Sequence, residues 1–176
     1  ISATAVAVPI TTLYSTGVDD SGAPLSLGAN EQHYEIVAGS PSIFTPVVTS
    51  NSAYMPSNAS SSWISLPSGL SSATYQTTFD LTGFDVSSAS LDLKIAVDNT
   101  MTDVLINGAS TGFSIAIGYP AFQSWSNLTV SSNFLAGVNT LQFLAVNSGG
   151  PGAFRVEASG NATAVSEPGA GVLFGL

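Results

Sequence analysis

The chain of 176 residues has no cysteine and only two basic residues, Lys94 and Arg155. Without thiols it can form no disulfide, no thiolate metal site and no cysteine nucleophile. Two scattered cations cannot neutralise a phosphate backbone or hold an anionic membrane surface, so we expect no nucleic-acid partner and no stable membrane contact. We interpret the formal net charge of −9 as a contribution to solubility.

Histidine is nearly absent too, since His33 is the only one in the chain. A Ser-His-Asp site or a zinc site would depend on this single imidazole. We interpret His33 as a packed side chain beside Tyr34 and Trp63, and the acidic residues as solvated rather than as the carboxylate pair of a glycosidase. The sequence therefore predicts no catalytic residues and no enzyme activity.

Sustained helical spacing is also missing, and the chain instead alternates apolar and polar residues with the period of two that β-strands require. The segment 91–98 shows this alternation most cleanly. Clusters of Gly, Pro, Ser and Asn separate such segments at roughly the spacing seen in β-sandwiches. We therefore predict an all-β fold with almost no helix. The residues that we place in its core are Phe79, Leu93, Ile95, Leu141, Phe143 and Val156.

Turn and loop signals add detail to this prediction. Asn107-Gly108 predicts a type I′ hairpin, because that turn needs positive φ at both central positions. Four prolines between residues 38 and 72 predict only short or edge strands there, since proline cannot donate to a ladder. The nearly continuous apolar run 140–146 predicts a strand buried on both faces.

Several motifs occur in a fixed order between about residues 60 and 160. They are Tyr75-Gln76-Thr77-Thr78-Phe79-Asp80-Leu81, Asp98-Asn99, Val104-Leu105-Ile106-Asn107-Gly108, Leu135-Ala136-Gly137-Val138-Asn139-Thr140-Leu141, and Gly150-Pro151-Gly152 before Phe154-Arg155-Val156-Glu157. Together they resemble the galactose-binding-like superfamily. The resemblance implies an antiparallel jelly-roll β-sandwich. It implies no single function, because that fold carries many ligands and also none.

Acidic and amide side chains gather in one early loop, at Asp19, Asp20, Asn30 and Glu31. Ca²⁺ prefers several oxygen ligands of this kind on loops. Many galactose-binding-like folds hold a structural calcium ion between such a loop and the last strand, where this chain has Glu157. The resemblance therefore implies a calcium site formed by these five residues and no other cofactor. The alternative is a turn that faces water.

Aromatic side chains near predicted loops favour sugar binding, because an exposed ring offers an apolar face with polar groups around it. Tyr54, Tyr119 and Trp125 are the candidate glycan contacts. Trp63 is placed in the core, and Trp125 can equally close one end of the sandwich. A polysaccharide is therefore one candidate partner.

The N-terminal segment is uncharged, and residues 1–8 alternate small and β-branched side chains without proline. Such a strand gains hydrogen bonds by joining a sheet edge, either its own or that of a neighbouring subunit. Joining a neighbour would build a homopolymer by head-to-tail contacts. Ala5-Val6-Ala7 also has the small-x-small form of a signal-peptidase site. The residues that would carry self-assembly are Ile1, Ala3, Ala5, Val6 and Val8.

The chain ends with Val165-Ser166-Glu167-Pro168 and eight uncharged residues, 169–176. This pattern resembles the C-terminal sorting signal of PEP-CTERM proteins, which are exported by bacteria. It implies an extracellular or cell-surface location, with membrane contact only during export and sorting. We accordingly divide the chain into an apolar N-terminal strand (1–10), a β-sandwich domain (11–163) and a sorting-like tail (164–176).

Two functions follow from these features and both stay open at this point. The first is an exported structural protein, a self-assembling subunit of a surface fibre, layer or matrix that polymerises by strand addition. The second is a carbohydrate-binding module that attaches the cell or matrix to polysaccharide. The uncharged, strand-prone N-terminal segment and the sorting-like tail favour the first function, and aromatic loops on a jelly roll favour the second.

If the calcium site forms, EDTA should lower the melting temperature, because a ligand bound only by the folded state adds to its stability. Thermal unfolding followed by circular dichroism, with and without EDTA, measures this shift. An unchanged melting temperature, together with no co-purifying metal, would rule the site out.

Overall fold

The computed structural model describes residues 6–38, 44–66 and 70–165. Within these ranges no helix is long and apolar enough to cross a membrane. The elements are β1 (Ala7–Pro9), β2 (Glu35–Ala38), β3 (Val48–Thr49), β4 (Trp63–Leu66), β5 (Ser72–Asp80), β6 (Phe84–Asp98), β7 (Thr100–Ile106), β8 (Ala109–Ser110), α1 (Pro120–Gln123), β9 (Ser126–Val130), β10 (Val138–Val146) and β11 (Gly152–Ala164).

The strands form two antiparallel sheets that pack face to face. The front sheet has the order β3-β4-β11-β6-β9, and β1 also pairs with β11. The back sheet has the order β2-β5-β10-β7-β8. The predicted all-β, antiparallel jelly-roll sandwich with almost no helix is confirmed.

The core lies between the two sheets and is built from the apolar residues of each alternating strand. All six residues placed there from the sequence are buried. Aromatic rings meet at its centre, where the ring of Phe154 lies 4.7 Å from that of Phe143 and 4.8 Å from that of Tyr75. Burial of one such large side chain stabilises the fold by about 1.5–3 kcal/mol.

Two of the three local predictions are confirmed. Asn107 and Gly108 have φ values of 51° and 80° and join β7 to β8 as a tight hairpin. In the described part of residues 38–72, β3 and β4 are only two and four residues long. The prediction that residues 140–146 are buried on both faces is wrong. Buried and half-buried residues alternate along β10, because the outer face of the back sheet meets solvent.

The N-terminal segment pairs with its own chain wherever it is described. Ala7–Pro9 lies antiparallel to residues 161–163 of β11. Further along the same edge of β11, the Ile10 amide donates to Gly160 at 2.9 Å and the Thr16 amide donates to Val156 at 3.0 Å. The described part of the segment therefore follows the intramolecular alternative rather than strand addition between subunits.

The rest of the proposed self-assembly strand is less fully described. Ile1, Ala3 and Ala5 lie outside the described residues, as do residues 166–176 of the sorting-like tail. Val6 and Val8 are exposed. Self-assembly through residues 1–8 therefore stays a prediction.

Replacing Phe143, which is fully buried, should destabilise the protein strongly. Phe143→Ala should cost about 3–5 kcal/mol, because it removes packing contacts and leaves a cavity. Val138→Ala in the same strand is the matched control, since Val138 is 66% exposed and should change stability by less than about 0.5 kcal/mol. Urea unfolding measures both, and equal losses from the two variants would contradict the position assigned to β10.

Candidate functional site

The candidate site lies on the outer face of the front sheet, which points away from the core. In β11, Phe154 and Val156 belong to the core. Arg155, Glu157 and Ser159 alternate with them and therefore point outwards. The same alternation in β6 and β9 gives each strand a polar outer face.

The register of the three strands sets these outward side chains side by side. Residues directly opposite each other in an antiparallel pair have their Cβ atoms roughly 5 Å apart. Two rows of three polar residues result. The first row is Glu157, Lys94 and Asn127, and the second is Ser159, Asp92 and Thr129.

These two rows form the floor of a concave cleft with a volume of about 410 Å³. This volume falls in the range of sites that hold small ligands. Hydroxyl, amide, carboxylate and amine groups all reach it, so the surface can both donate and accept hydrogen bonds. We call it the polar cleft; it is lined by Ser15, Ser60, Asp92, Leu93, Lys94, Asn127, Leu128, Thr129, Glu157, Ala158 and Ser159.

The neighbouring part of the same sheet face is covered by a second, smaller hydrophobic cluster. We call it the outer cluster; it contains Tyr54, Trp63, Ala96 and Ala153, with Met55, Phe122 and Trp125 packed against it. Its polar atoms are satisfied, since the Tyr54 hydroxyl donates to Asp98 at 2.8 Å and the Trp63 indole donates to the Met55 carbonyl at 2.8 Å. Ala96 lies two residues from Lys94, so the outer cluster borders the polar cleft.

Arg155 connects the outer cluster to the polar cleft and is completely buried. Its Nε donates to the Ser61 hydroxyl at 2.8 Å, and its Nη1 donates to the Pro56 carbonyl at 2.7 Å. Its Cζ lies 4.7 Å from the centre of the Trp125 ring, and its Nη2 lies 3.7 Å from Glu157 Oε1. One guanidinium therefore holds a loop, an aromatic ring and a cleft carboxylate together.

Glu157 is the half-buried carboxylate of the polar cleft. It accepts hydrogen bonds from Asn58 at 2.7 Å, from Ser61 at 3.3 Å and from the Lys94 amine at 3.2 Å. Burial alone would raise the pKa of Glu157. The hydrogen bonds from Asn58 and Lys94, with the charges of Lys94 and Arg155, outweigh burial and hold the pKa below its ordinary value. Glu157 is therefore ionised at neutral pH.

Asp19 and Glu31 of the early loop accept hydrogen bonds from within that loop. Asp19 Oδ1 accepts from the Ser21 hydroxyl at 2.6 Å and from the Ala23 amide at 3.0 Å, and these bonds lower its pKa. Glu31 is buried and accepts from the amides of Gly17 at 2.7 Å and His33 at 3.0 Å. Burial raises the pKa of Glu31 against the effect of these bonds.

The five residues of the expected calcium site do not come together. Glu157 lies in the polar cleft with its own cationic partners, while Asp20 and Asn30 are exposed. Across residues 6–38, 44–66 and 70–165, no three acidic or histidine side chains lie close enough to hold one metal ion. The carboxylates have other partners: Glu157 pairs with Lys94 and Arg155, while Asp19 and Glu31 accept hydrogen bonds from nearby backbone amides.

His33 was expected to pack beside Tyr34 and Trp63, and it is packed, but the ring stacked on it is that of Tyr14. Its ring stacks on Tyr14 with centroids 3.7 Å apart and planes 3° apart, whereas Trp63 belongs to the outer cluster. Ser110 lies in the Gly-x-Ser-x-Gly sequence 108–112, but that sequence forms β8 and the turns beside it. A nucleophile elbow is a strand-to-helix turn, so this serine is not in one.

The three aromatic residues predicted to contact a glycan differ in exposure. Tyr54 is buried in the outer cluster, where its hydroxyl donates to Asp98. Its ring is therefore not exposed for the predicted glycan contact. Trp125 is half-buried against Arg155, directly before β9. Tyr119 is 64% exposed, and its ring meets that of Phe122 edge-on at 5.0 Å.

Sequence reasoning missed most of the polar cleft. Alternation shows that each of these residues points to one face of its own strand. It does not show that β6 lies between β9 and β11, which is what brings the side chains together. The missed residues are Ser15, Ser60, Asp92, Lys94, Asn127, Thr129 and Ser159.

No protein-family model and no curated protein matches the chain. Solved structures that it resembles include CBM35 from Paenibacillus barcinonensis, at 15% identity over 69% of this chain and 89% of that one, with a TM-score of 0.40. CBM35 from Cellvibrio japonicus Abf62 shows 11% identity over 91% and 95%, with a TM-score of 0.46. A family 35 carbohydrate binding module from an environmental isolate shows 10% identity over 81% and 95%, with a TM-score of 0.42. Similarity at this level assigns neither a family nor a ligand to the chain.

Removing the Glu157 charge should destabilise the protein in a pH-dependent way. Glu157→Gln should cost about 2–4 kcal/mol at pH 7, because buried Arg155 loses its counter-charge. The lowered pKa means that this contribution is present above the ordinary value of 4.5 and is lost as the pH falls through the lower folded value. The difference in the free energy of unfolding between wild type and variant should therefore become smaller in acid.

Urea unfolding at pH 7 and at pH 4 or below measures this difference. Glu35→Gln, an exposed carboxylate on the back sheet, is the control and should have little effect at either pH. A loss from Glu157→Gln that stays constant with pH would show that the charge of Glu157 is not the source of its contribution.

Proposed function

We propose that the chain is a carbohydrate-binding module and that the polar cleft is its glycan site. The observation that carries this proposal is the pair of three-residue polar rows on a concave sheet face. Sugar hydroxyls donate and accept hydrogen bonds on several sides of the ring. A cleft that presents carboxylate, amide, hydroxyl and amine groups together matches that chemistry.

Individual groups of the cleft have clear uses in such a complex. Asn127 is exposed and can both donate and accept through its amide. Asp92 is exposed and already accepts from the Thr129 hydroxyl at 2.7 Å, which orients its carboxylate. Trp125 is not among the residues that line the polar cleft, since its half-buried ring packs on Arg155 beside the outer cluster, so the polar groups carry the proposed contacts.

The charge state of the cleft supports binding without hydrolysis. A glycosidase needs one carboxyl group that stays protonated, which requires a raised pKa. The pKa of Glu157 is lowered instead, by hydrogen bonds and two cations. The cleft therefore has a carboxylate suited to accepting hydrogen bonds and not to donating a proton.

We also propose that this binding takes place outside the cell. The small proportion of charged residues, 7%, and the export-like sequence features support this location. Attachment of a cell or matrix to polysaccharide is the role that fits such a module. The intramolecular pairing of Ala7–Pro9 supports this function over polymerisation by strand exchange.

Binding to polysaccharides is the direct test. Native affinity gel electrophoresis against a panel of soluble polysaccharides should show slowed migration of the protein with at least one of them. Asn127→Ala should then weaken binding roughly five- to tenfold, as expected for the loss of one or two hydrogen bonds. Isothermal titration calorimetry with the matching oligosaccharide measures this ratio.

The matched control is Gln142→Ala, which removes an amide from the outer face of the back sheet, where Gln142 donates to Gln76 at 2.9 Å. This variant should bind like the wild type. A panel with no ligand would refute the proposed function, and an equal loss from both variants would place the glycan away from the polar cleft.

A further inference from the structure

We propose that the polar cleft selects uncharged glycans and discriminates against anionic ones such as uronate polymers. This inference rests on the proposed function and narrows its ligand class. It is carried by the way the chain uses its cations. Of the two basic residues in the sequence, Lys94 lines the cleft and Arg155 is buried beside it, and both face Glu157.

The positive charge at the polar cleft is largely paired with Glu157. Proteins usually hold a carboxylate ligand with arginine or lysine, because charge-assisted hydrogen bonds are the strong ones. Here the Lys94 amine is 3.2 Å from one oxygen of Glu157, and Arg155 Nη2 is 3.7 Å from the other. Arg155 is completely buried beneath the loop that contains Ser61. The Lys94 side chain is 55% exposed and has further N–H donors, but its charge is already partly neutralised by Glu157, so a bound anion would have to share it.

An anion in the polar cleft would also meet negative charge. Asp92 is exposed in the same cleft, next to the row that contains Lys94, and its nearest partner is the Thr129 hydroxyl, which carries no charge. A ligand carboxylate would therefore lie close to a carboxylate that forms no ion pair among the described residues. The net charge of −9 adds a weaker repulsion, which salt screens beyond about 10 Å.

An uncharged sugar can use the polar groups of the cleft without displacing a charged partner. Hydroxyl groups can donate to the oxygens of Asp92 and Glu157 and accept from Asn127 without disturbing the Lys94–Glu157 pair. The ion pairs of Glu157 with Lys94 and Arg155 stay intact. An uncharged glycan can therefore bind without changing the Lys94–Glu157 ion pair, whereas an anionic glycan would have to share Lys94 with Glu157.

The test compares two forms of one polymer. The probe is the neutral polysaccharide that retards the protein most in the affinity gel, beside the same polymer with its primary alcohols oxidised to carboxylates. We expect the oxidised form to bind at least tenfold more weakly at low ionic strength. Part of this loss should be recovered in 1 M NaCl, where screening acts within a few ångströms.

Two variants with the same change in net charge separate local from global repulsion. Asp92→Asn should recover binding of the oxidised polymer at least threefold. Glu35→Gln, which removes one charge from the back sheet, should recover it less than twofold. Equal or tighter binding of the oxidised polymer by the wild type would overturn this inference and leave carbohydrate binding standing. Weak binding that neither salt nor Asp92→Asn improves would also overturn it.

Discussion

The antiparallel pairing of β11 with β6 is the interaction on which both the core and the polar cleft depend. The same register that sets Phe154 and Val156 into the core sets Glu157 opposite Lys94 on the outer face. A slip of one residue would exchange the two faces and bury these charges. Stability and site geometry are therefore one constraint, and the cleft stands on rigid strands that need little rearrangement to receive a ligand.

Arg155 is a charged group that this strand pairing buries, and its burial costs free energy. A buried guanidinium loses its hydration, and only good partners offset that loss. Ser61 and Pro56 accept two of its hydrogen bonds, and Trp125 covers its face. Nη2 has no hydrogen-bond partner among the described residues and depends on the charge of Glu157, 3.7 Å away. Hydrogen bonds and the charge of Glu157 therefore help to hold the wall of the cleft, beside the apolar packing of the outer cluster.

The sequence predicted the fold better than the site, for a physical reason. Period two reports the inner and outer face of each strand, so residues such as Phe143 and Leu93 could be placed, and Asn107-Gly108 could be given its turn. The pairing of strands that are distant in the sequence produces no comparable pattern in the sequence. The sequence therefore could not predict that Asp92 and Ser159 lie side by side. Tyr54 was misplaced because a loop aromatic can fold back onto a sheet and be buried there.

The scarcity of basic residues has a further consequence for proteolysis. Trypsin-like proteases cut after lysine or arginine, and this chain offers only Lys94 and Arg155. Both lie inside long central strands, and the residues that follow them, Ile95 and Val156, are fully buried. A protease needs several residues of free, extended chain, so neither bond can be cut until β6 or β11 leaves the sheet. Because that step is close to complete unfolding, the rate of tryptic cleavage reports the global stability of the protein and not the motion of its loops.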